Sequence, residues 1–224
     1  MPADLPACVA VLRRVHEASG YPSLWPDDPS RWIIPRDMVA AWVAEYDGSI
    51  AGHVALVRGM RLECLLRATG RAPDQLGGIA RLYVDPAFRR LGLARALLDA
   101  AADGAVARRL QPVLDVVSDA RPAIALYEQV GWHLVGTQAA TWVDADGSTP
   151  TLCGYVGLHL LPRKEPGQSP ELLLVPNGLR SRPCSGQTAQ AGQRTVATYT
   201  AEGPGTGTLA PFAVPGRRPE RQGA

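Results

Sequence analysis

A chain of 224 residues with 23 basic and 21 acidic side chains carries a net charge of +2, too near balance for a dedicated polyanion binder. Its 46% hydrophobic content supports a packed core. No apolar run approaches the roughly 20 residues of a bilayer crossing, and the N-terminus lacks the basic-then-apolar order of a secretory signal, so a soluble cytoplasmic protein without a membrane segment is expected. Cys8, Cys64, Cys153 and Cys184 are far apart, form no C-x-x-C pair and have no histidine at ligand spacing. They predict neither a metal site nor a disulfide framework.

In chain order, Leu5, Val9, Leu12 and His16 recur at helical spacing behind Asp4, which predicts a first helix over 4–18 with Asp4 as its cap. A loop rich in Pro and Trp follows, with Trp25 and Trp32. Residues 42–46 and 50–57 flank Asp47-Gly48 and predict a hairpin, because this dipeptide tolerates the positive φ of a type I′ turn. A short helix is expected at 61–68 and a strand at 79–84. A long helix then carries the stripe Leu91, Ala94, Leu98, Ala101, Ala102 and Ala105. A strand at 113–117, a helix at 123–130 stopped by Gly131, and a second hairpin of 138–144 and 152–160 around Asp146-Gly147 complete the series. Hairpins and helical crossovers together imply a mixed α/β fold with parallel and antiparallel neighbours.

Composition changes after Leu161. Residues 162–224 hold 9 prolines and 9 glycines among 63 residues, with 8 basic and 4 acidic side chains. That content without a period predicts a disordered tail on a folded domain spanning 1–161. The tail lacks the dense Lys/Arg run of a nucleic-acid-binding extension, so nucleic acid is not the expected partner.

The chemistry concentrates where the strand ending at Val84 passes through Asp85-Pro86 into the long helix, with Arg89, Arg90, Leu91, Gly92, Leu93 and Ala94 at the junction. A helix N-terminus presents unpaired N–H groups and a partial positive charge. Two arginines add charge, and small residues let phosphate oxygens approach the backbone. Some thirty residues on stands Ala123-Ile124-Ala125-Leu126-Tyr127-Glu128-Gln129-Val130-Gly131-Trp132. Over about residues 4–160 the sequence resembles the GNAT N-acetyltransferase superfamily. Residues 89–94 resemble its Q/R-x-x-G-x-G/A pyrophosphate loop, and 123–132 its A-x-x-L-Y-x-x-x-G-F segment, with Trp132 in place of Phe.

The resemblance implies a mostly antiparallel sheet with a V-shaped splay between two parallel central strands, flanked by helices. It implies acetyl-CoA as co-substrate and an amine acceptor, small molecule or peptide. The pantetheine arm would lie along Leu82, Tyr83 and Val84, chiefly on the backbone of Leu82 and Val84, with the pyrophosphate on the amides of Arg89 to Ala94. An oxyanion would face a backbone N–H near Val84. Tyr127 would protonate the departing thiolate, which is sensible for a phenol of pKa about 10 facing a thiol of about 8.5.

Three features depart from the family pattern. The strand Gly78-Ile79-Ala80-Arg81 lacks the glutamate that serves many relatives as base, leaving Glu63, Asp74 and His53 as candidates by location. Ala120 stands where relatives have an asparagine that contacts CoA. The chain enters its first helix without the strand that usually precedes it, so either that strand is dispensable or the true start lies upstream; if the strand is missing, an edge of the first hairpin would be unpaired, which invites self-association, a homodimer being one outcome, or lowers stability. The missing glutamate and Ala120 keep a second reading open, a non-catalytic acyl-CoA sensor on the same scaffold. Acceptor-pocket walls are expected from 21–35, with Trp25 and Trp32, and from 58–78.

Overall fold

The computed structural model describes residues 4–144, 146–157 and 194–200, the last for its backbone. Helix α1 (Leu5–Ser19) leads to a short α2 (Pro29–Ile33) and the hairpin β1 (Met38–Tyr46) and β2 (Ser49–Arg58). There follow α3 (Glu63–Thr69), β3 (Leu76–Val84), α4 (Leu93–Ala107), β4 (Gln111–Val117), α5 (Arg121–Gln129), β5 (His133–Ala139), β6 (Thr151–Val156) and β7 (Arg194–Thr200). The seven strands form one sheet in the order β5-β6-β4-β3-β2-β1-β7. Of its neighbours only β3 and β4 run parallel, and their pairing ends at Gly78 opposite Val113. Beyond that point the two strands diverge, which is the expected splay.

Side-chain alternation along the strands sends one set of residues to each face. Trp42, Ala44, Val54, Leu56 and Ile79 meet Leu97, Leu98, Ala101 and Ala105 of α4, in a core that also holds Tyr127 of α5. Val43 and Tyr83 turn the other way, to Cys8, Val11, Leu12 and Val15 of α1 and Ile33 of α2. Leu76 and Val113 share a third cluster with Leu62 and Leu65 at α3. Asp47 and Gly48 both have positive φ, 49° and 73°, as the type I′ turn requires.

Several expectations need correction. The buried stripe of α1 is Cys8, Val11, Leu12 and Val15, whereas Leu5, Val9 and His16 are only half-buried. Asp4 sits at the cap position without a capping side-chain hydrogen bond. Leu91 precedes α4, and Leu93 and Leu97 complete its inner face. In the second hairpin the strands are 133–139 and 151–156. Residues 140–150 join them as a loop in which the Asp144 carbonyl accepts from Gly147 N, and the Asp146 carboxylate from Ser148 N; residues 158–160 of the expected strand lie outside the described residues.

The largest correction concerns the segment expected to be disordered. Its residues 194–200 form β7, paired antiparallel with Ala40–Tyr46, so the outer edge of β1 is covered and the anticipated open edge does not exist. The other residues of 162–224 lie outside the described ones. Among the described residues no helix is long and apolar enough to cross a membrane, none of Cys8, Cys64 and Cys153 is in a disulfide, and no group of metal-ligating side chains occurs. Cys184 is outside them.

Candidate active site

The mouth of the splay is built by the junction from β3 to α4. Asp85 ends β3, accepts from the N–H of Ala87 at 3.0 Å and starts a single 3-10 turn, Pro86–Phe88. Its carboxylate, 2% exposed, also receives Nε and Nη2 of Arg14 at 2.7 and 2.6 Å, locking α1 to the junction. Asp85 is therefore a turn and clamp residue. Arg89 and Arg90 are exposed, and Arg89 reaches Ser19 Oγ at 3.5 Å. Arg90 and Gly92 both take positive φ, 63° and 79°, which turns the backbone so that α4 starts at Leu93. The first N–H groups of α4 have no acceptor within the helix. A Cβ added at Gly92 would meet nothing within 4 Å, so the space before the helix is open to a ligand.

On the flanks of the splay the two diverging strands each present one charged side chain to the same face. Between His53 and Ala55 of β2 the register on β3 jumps from Tyr83 to Ala80, a bulge with Arg81 at φ 56°. A non-glycine residue in this region carries roughly 1–2 kcal/mol of strain. The Arg81 guanidinium lies 3.9 Å from the centre of the Trp32 ring, and Tyr21 meets Trp32 edge-on at 5.7 Å. Arg81 Nε is buried without a hydrogen-bond partner. On β4, Asp115 follows Val113 by two residues and so shares its face. It is half-buried, and desolvation pushes its carboxyl above the usual carboxylate range, against the pull of Arg81.

Tyr127 enters from the opposite face. It is 8% exposed, with Trp132 and Tyr155 rings at 6.4 and 5.9 Å. Burial raises its pKa, and the neighbouring Tyr21 and Asp115 raise it further. The phenol therefore stays protonated, as a proton donor must. Tyr21 is 37% exposed; desolvation of its inner side nonetheless raises the phenol pKa, with the charge of Arg81 and a hydrogen bond from it opposing. Tyr127, Tyr21, Asp115 and Arg81 thus bear on one another electrostatically.

Sequence reasoning missed Asp115, Arg81 and Tyr21. A signal for the first existed, a lone carboxylate in the apolar run Val113-Leu114-Asp115-Val116-Val117; a charge in a central strand needs a reason. The three candidate bases fare differently. Glu63 is exposed and pairs with Arg67 at 3.4 Å. Asp74 is exposed in the turn before β3, at the end where β3 and β4 are still paired. His53 is fully buried and stacked on Tyr83 at 5.3 Å; its Nδ1–H donates to the Arg81 carbonyl at 3.1 Å, and burial pushes its pKa down to about 4. It supports the bulge from behind. Trp25 packs on α1 against His16 and Arg13, whereas Trp32 carries Arg81. The loops around Tyr21 and Trp142 are tied by Ser23 Oγ donating to Asp144 at 2.9 Å, and expose Leu24, Trp142 and Val143.

A mixed sheet opened between its two parallel strands, with a basic helix start at the opening, is the arrangement that the sequence resemblance implies. A sequence model of the Acetyltransferase (GNAT) family matches residues 10–132. The chain belongs to that family. Among solved structures it is similar to a ribosomal-protein-alanine N-acetyltransferase from Brucella melitensis, at 22% identity and a TM-score of 0.54 over 70% of this chain and 95% of that one. It is similar also to NAA60 of Arabidopsis thaliana in complex with acetyl-CoA, at 17% identity and 0.53 over 68% and 93%. An N-acetyltransferase from Staphylococcus aureus Mu50 matches at 19% and 0.53 over 70% and 93%. At these identities the likeness is one of fold. No curated protein matches the chain.

Proposed function

We propose that the protein is an N-acetyltransferase that passes the acetyl group of acetyl-CoA directly to a primary amine in a ternary complex. The observation that carries this reading is the loss of the β3–β4 pairing beyond Gly78 next to the start of α4, with Asp115 on the diverging part of β4 and the buried phenol of Tyr127 on α5. The residues present suit the co-substrate: β3 loses its β4 partner beyond Gly78, which leaves Leu82, Tyr83 and Val84 along the gap for an extended arm. The open, basic start of α4 suits a diphosphate. Acetyl-CoA supplies an activated thioester. The residues supply the rest.

Asp115 holds the position of general base. A lysine-like amine with a pKa of about 10.4 arrives mostly protonated; Asp115 takes its proton, directly or through one water, and frees the nitrogen lone pair. As the nitrogen–carbon bond forms and the carbon–sulfur bond breaks, the sulfur keeps the electron pair and takes a proton from Tyr127 Oη, while the acylated nitrogen sheds its remaining extra proton to water, from which the Tyr127 phenol is restored. A half-buried carboxyl with a raised pKa is better matched to this work near neutral pH than a solvated one. Asp115 also weakens one of the two grounds for the sensor reading, the missing glutamate on β3; the other, Ala120, stands.

The test is release of free thiol from acetyl-CoA across a panel of amines. Transfer to at least one amine is expected, with Asp115→Asn and Tyr127→Phe each lowering kcat by about a hundredfold or more while acetyl-CoA still binds. Binding without thiol release for any amine would instead support the sensor.

A further inference from the structure

The acetyltransferase reading leaves the acceptor open, and the acceptor face of the splay holds a group that amine transfer does not require. Arg81 stands on β3 at a bulge, in backbone geometry that glycine adopts freely and arginine does not. Its guanidinium lies over Trp32, 3.9 Å from the ring centre, and Tyr21 meets that ring edge-on. A guanidinium lying over a ring still offers the N–H donors at its edge; Tyr21 takes a side-chain hydrogen bond from Arg81, and the remaining donors suit a planar anion. One of those donors, Nε, is buried and unpartnered. Among the described residues Arg81 has no ion-pair partner within 4 Å.

Asp115 is an opposite charge that bears on Arg81. The two stand on diverging strands, on one face, and are held apart. Two unlike charges separated in this way suit a ligand that itself carries two, an ammonium for Asp115 and an anion for Arg81. The basic start of α4 already provides for phosphate at the far end of β3, so Arg81 is not needed there.

We propose, resting on the acetyltransferase reading, that Arg81 binds a carboxylate of the acceptor, which is therefore an amine with a carboxylate a few bonds away. A free amino acid has this chemistry, and so does a peptide beginning with Asp or Glu. Trp32 positions Arg81, and Asp115 receives the amine. The exposed apolar residues Leu24, Trp142 and Val143 on the two tied loops offer a wall for the remainder of such a molecule.

The experiment compares kcat/KM for matched acceptors at saturating acetyl-CoA. One arm sets free amino acids against their primary amides; the other sets peptides beginning with Asp or Glu against those beginning with Asn or Gln. The protein is expected to favour the carboxylate member of one arm by tenfold or more, and the arm that shows it identifies the source. Arg81→Gln should bring that ratio near one with acetyl-CoA affinity retained, and Arg81→Lys should leave an intermediate ratio, since it keeps charge but loses the planar fork. If the glutamine variant does not fold, the lysine variant decides. Equal use of acids and amides by the unaltered protein, or a preference that Arg81→Gln and Arg81→Lys leave intact, overturns the proposal while acetyl transfer stands. Thiol release with no amine at all, although acetyl-CoA binds, overturns both readings together.

Discussion

Asp115 is costly to the fold, and the sign of that cost is fixed by its environment. Burial raises its pKa, so folding favours the neutral carboxyl, and stability is lost as pH rises through the folded pKa. Asp115→Asn should therefore raise the melting temperature at neutral pH while removing activity, a trade seen by running the two assays side by side. The same carboxyl must be ionised to act as base, so the acidic limb of the kcat/KM profile is expected above the ordinary carboxylate range, and Asp115→Asn should abolish it. With the Tyr127 phenol also raised, its ionisation should not cut activity until well above pH 10. His53 behaves oppositely. Its pKa falls from 6.5 to about 4 on burial, so it costs nothing above pH 6.5, and stability drains as pH falls from there to about 4, by up to roughly 3 kcal/mol. His53→Gln should flatten that part of a stability-against-pH curve measured by denaturant melts; an unchanged slope would show that His53 is not the group responsible.

Helix α4 links core to cofactor mouth, and its two glycines separate those duties. Gly104 lies in the helix interior, where alanine ordinarily gains about 1 kcal/mol. A Cβ there would fall 2.4 Å from Cζ2 and Cη2 of Trp42, so Gly104→Ala should instead destabilise, by roughly 1–3 kcal/mol in a chemical melt. Gly92 meets no protein atom, and its φ of 79° makes Gly92→Ala strained by about 1 kcal/mol and no more. A loss of acetyl-CoA affinity beyond tenfold in that variant would show that the ligand occupies the space before the helix. Local elements of this kind were legible in the sequence, because Asp47-Gly48, the inner stripe of α4 and the segment 123–132 carry their information within a few residues. The second hairpin was not, since its true strand His133–Ala139 alternates weakly and stays half-exposed. Arg81 and Asp115 were hidden for another reason: their partnership exists only once β3 and β4 are neighbours, and thirty-odd residues of sequence separate them.

At the scale of the molecule, the sheet is closed at its β1 edge by a strand from the far end of the chain. The run Arg194-Thr195-Val196-Ala197-Thr198-Tyr199-Thr200 is rich in β-branched residues, a signal that averaging over the Pro- and Gly-rich segment erased. β7 covers the edge of β1 that would otherwise be unpaired. Ending the chain at Leu161 should therefore expose a seven-residue ladder, Ala40–Tyr46, and give concentration-dependent association in sedimentation or light scattering. A truncated chain that stays monomeric with an unchanged melting temperature would contradict the role given to β7. The sheet also divides the work: α4 and α5 bring the helix start and Tyr127 from one face, while α1, α2 and the loops around Trp32 bring Arg81 and Tyr21 from the other. In the proposed reaction, acyl donor and acceptor would meet through the gap between β3 and β4.

That meeting depends on an extended thioester lying along β3 with its diphosphate at the start of α4. Amide hydrogen exchange with and without saturating acetyl-CoA tests it most directly. Protection of tenfold or more confined to residues 82–84 and 89–94 is the expected result; acetyl-CoA that binds while leaving those amides unchanged would contradict the account.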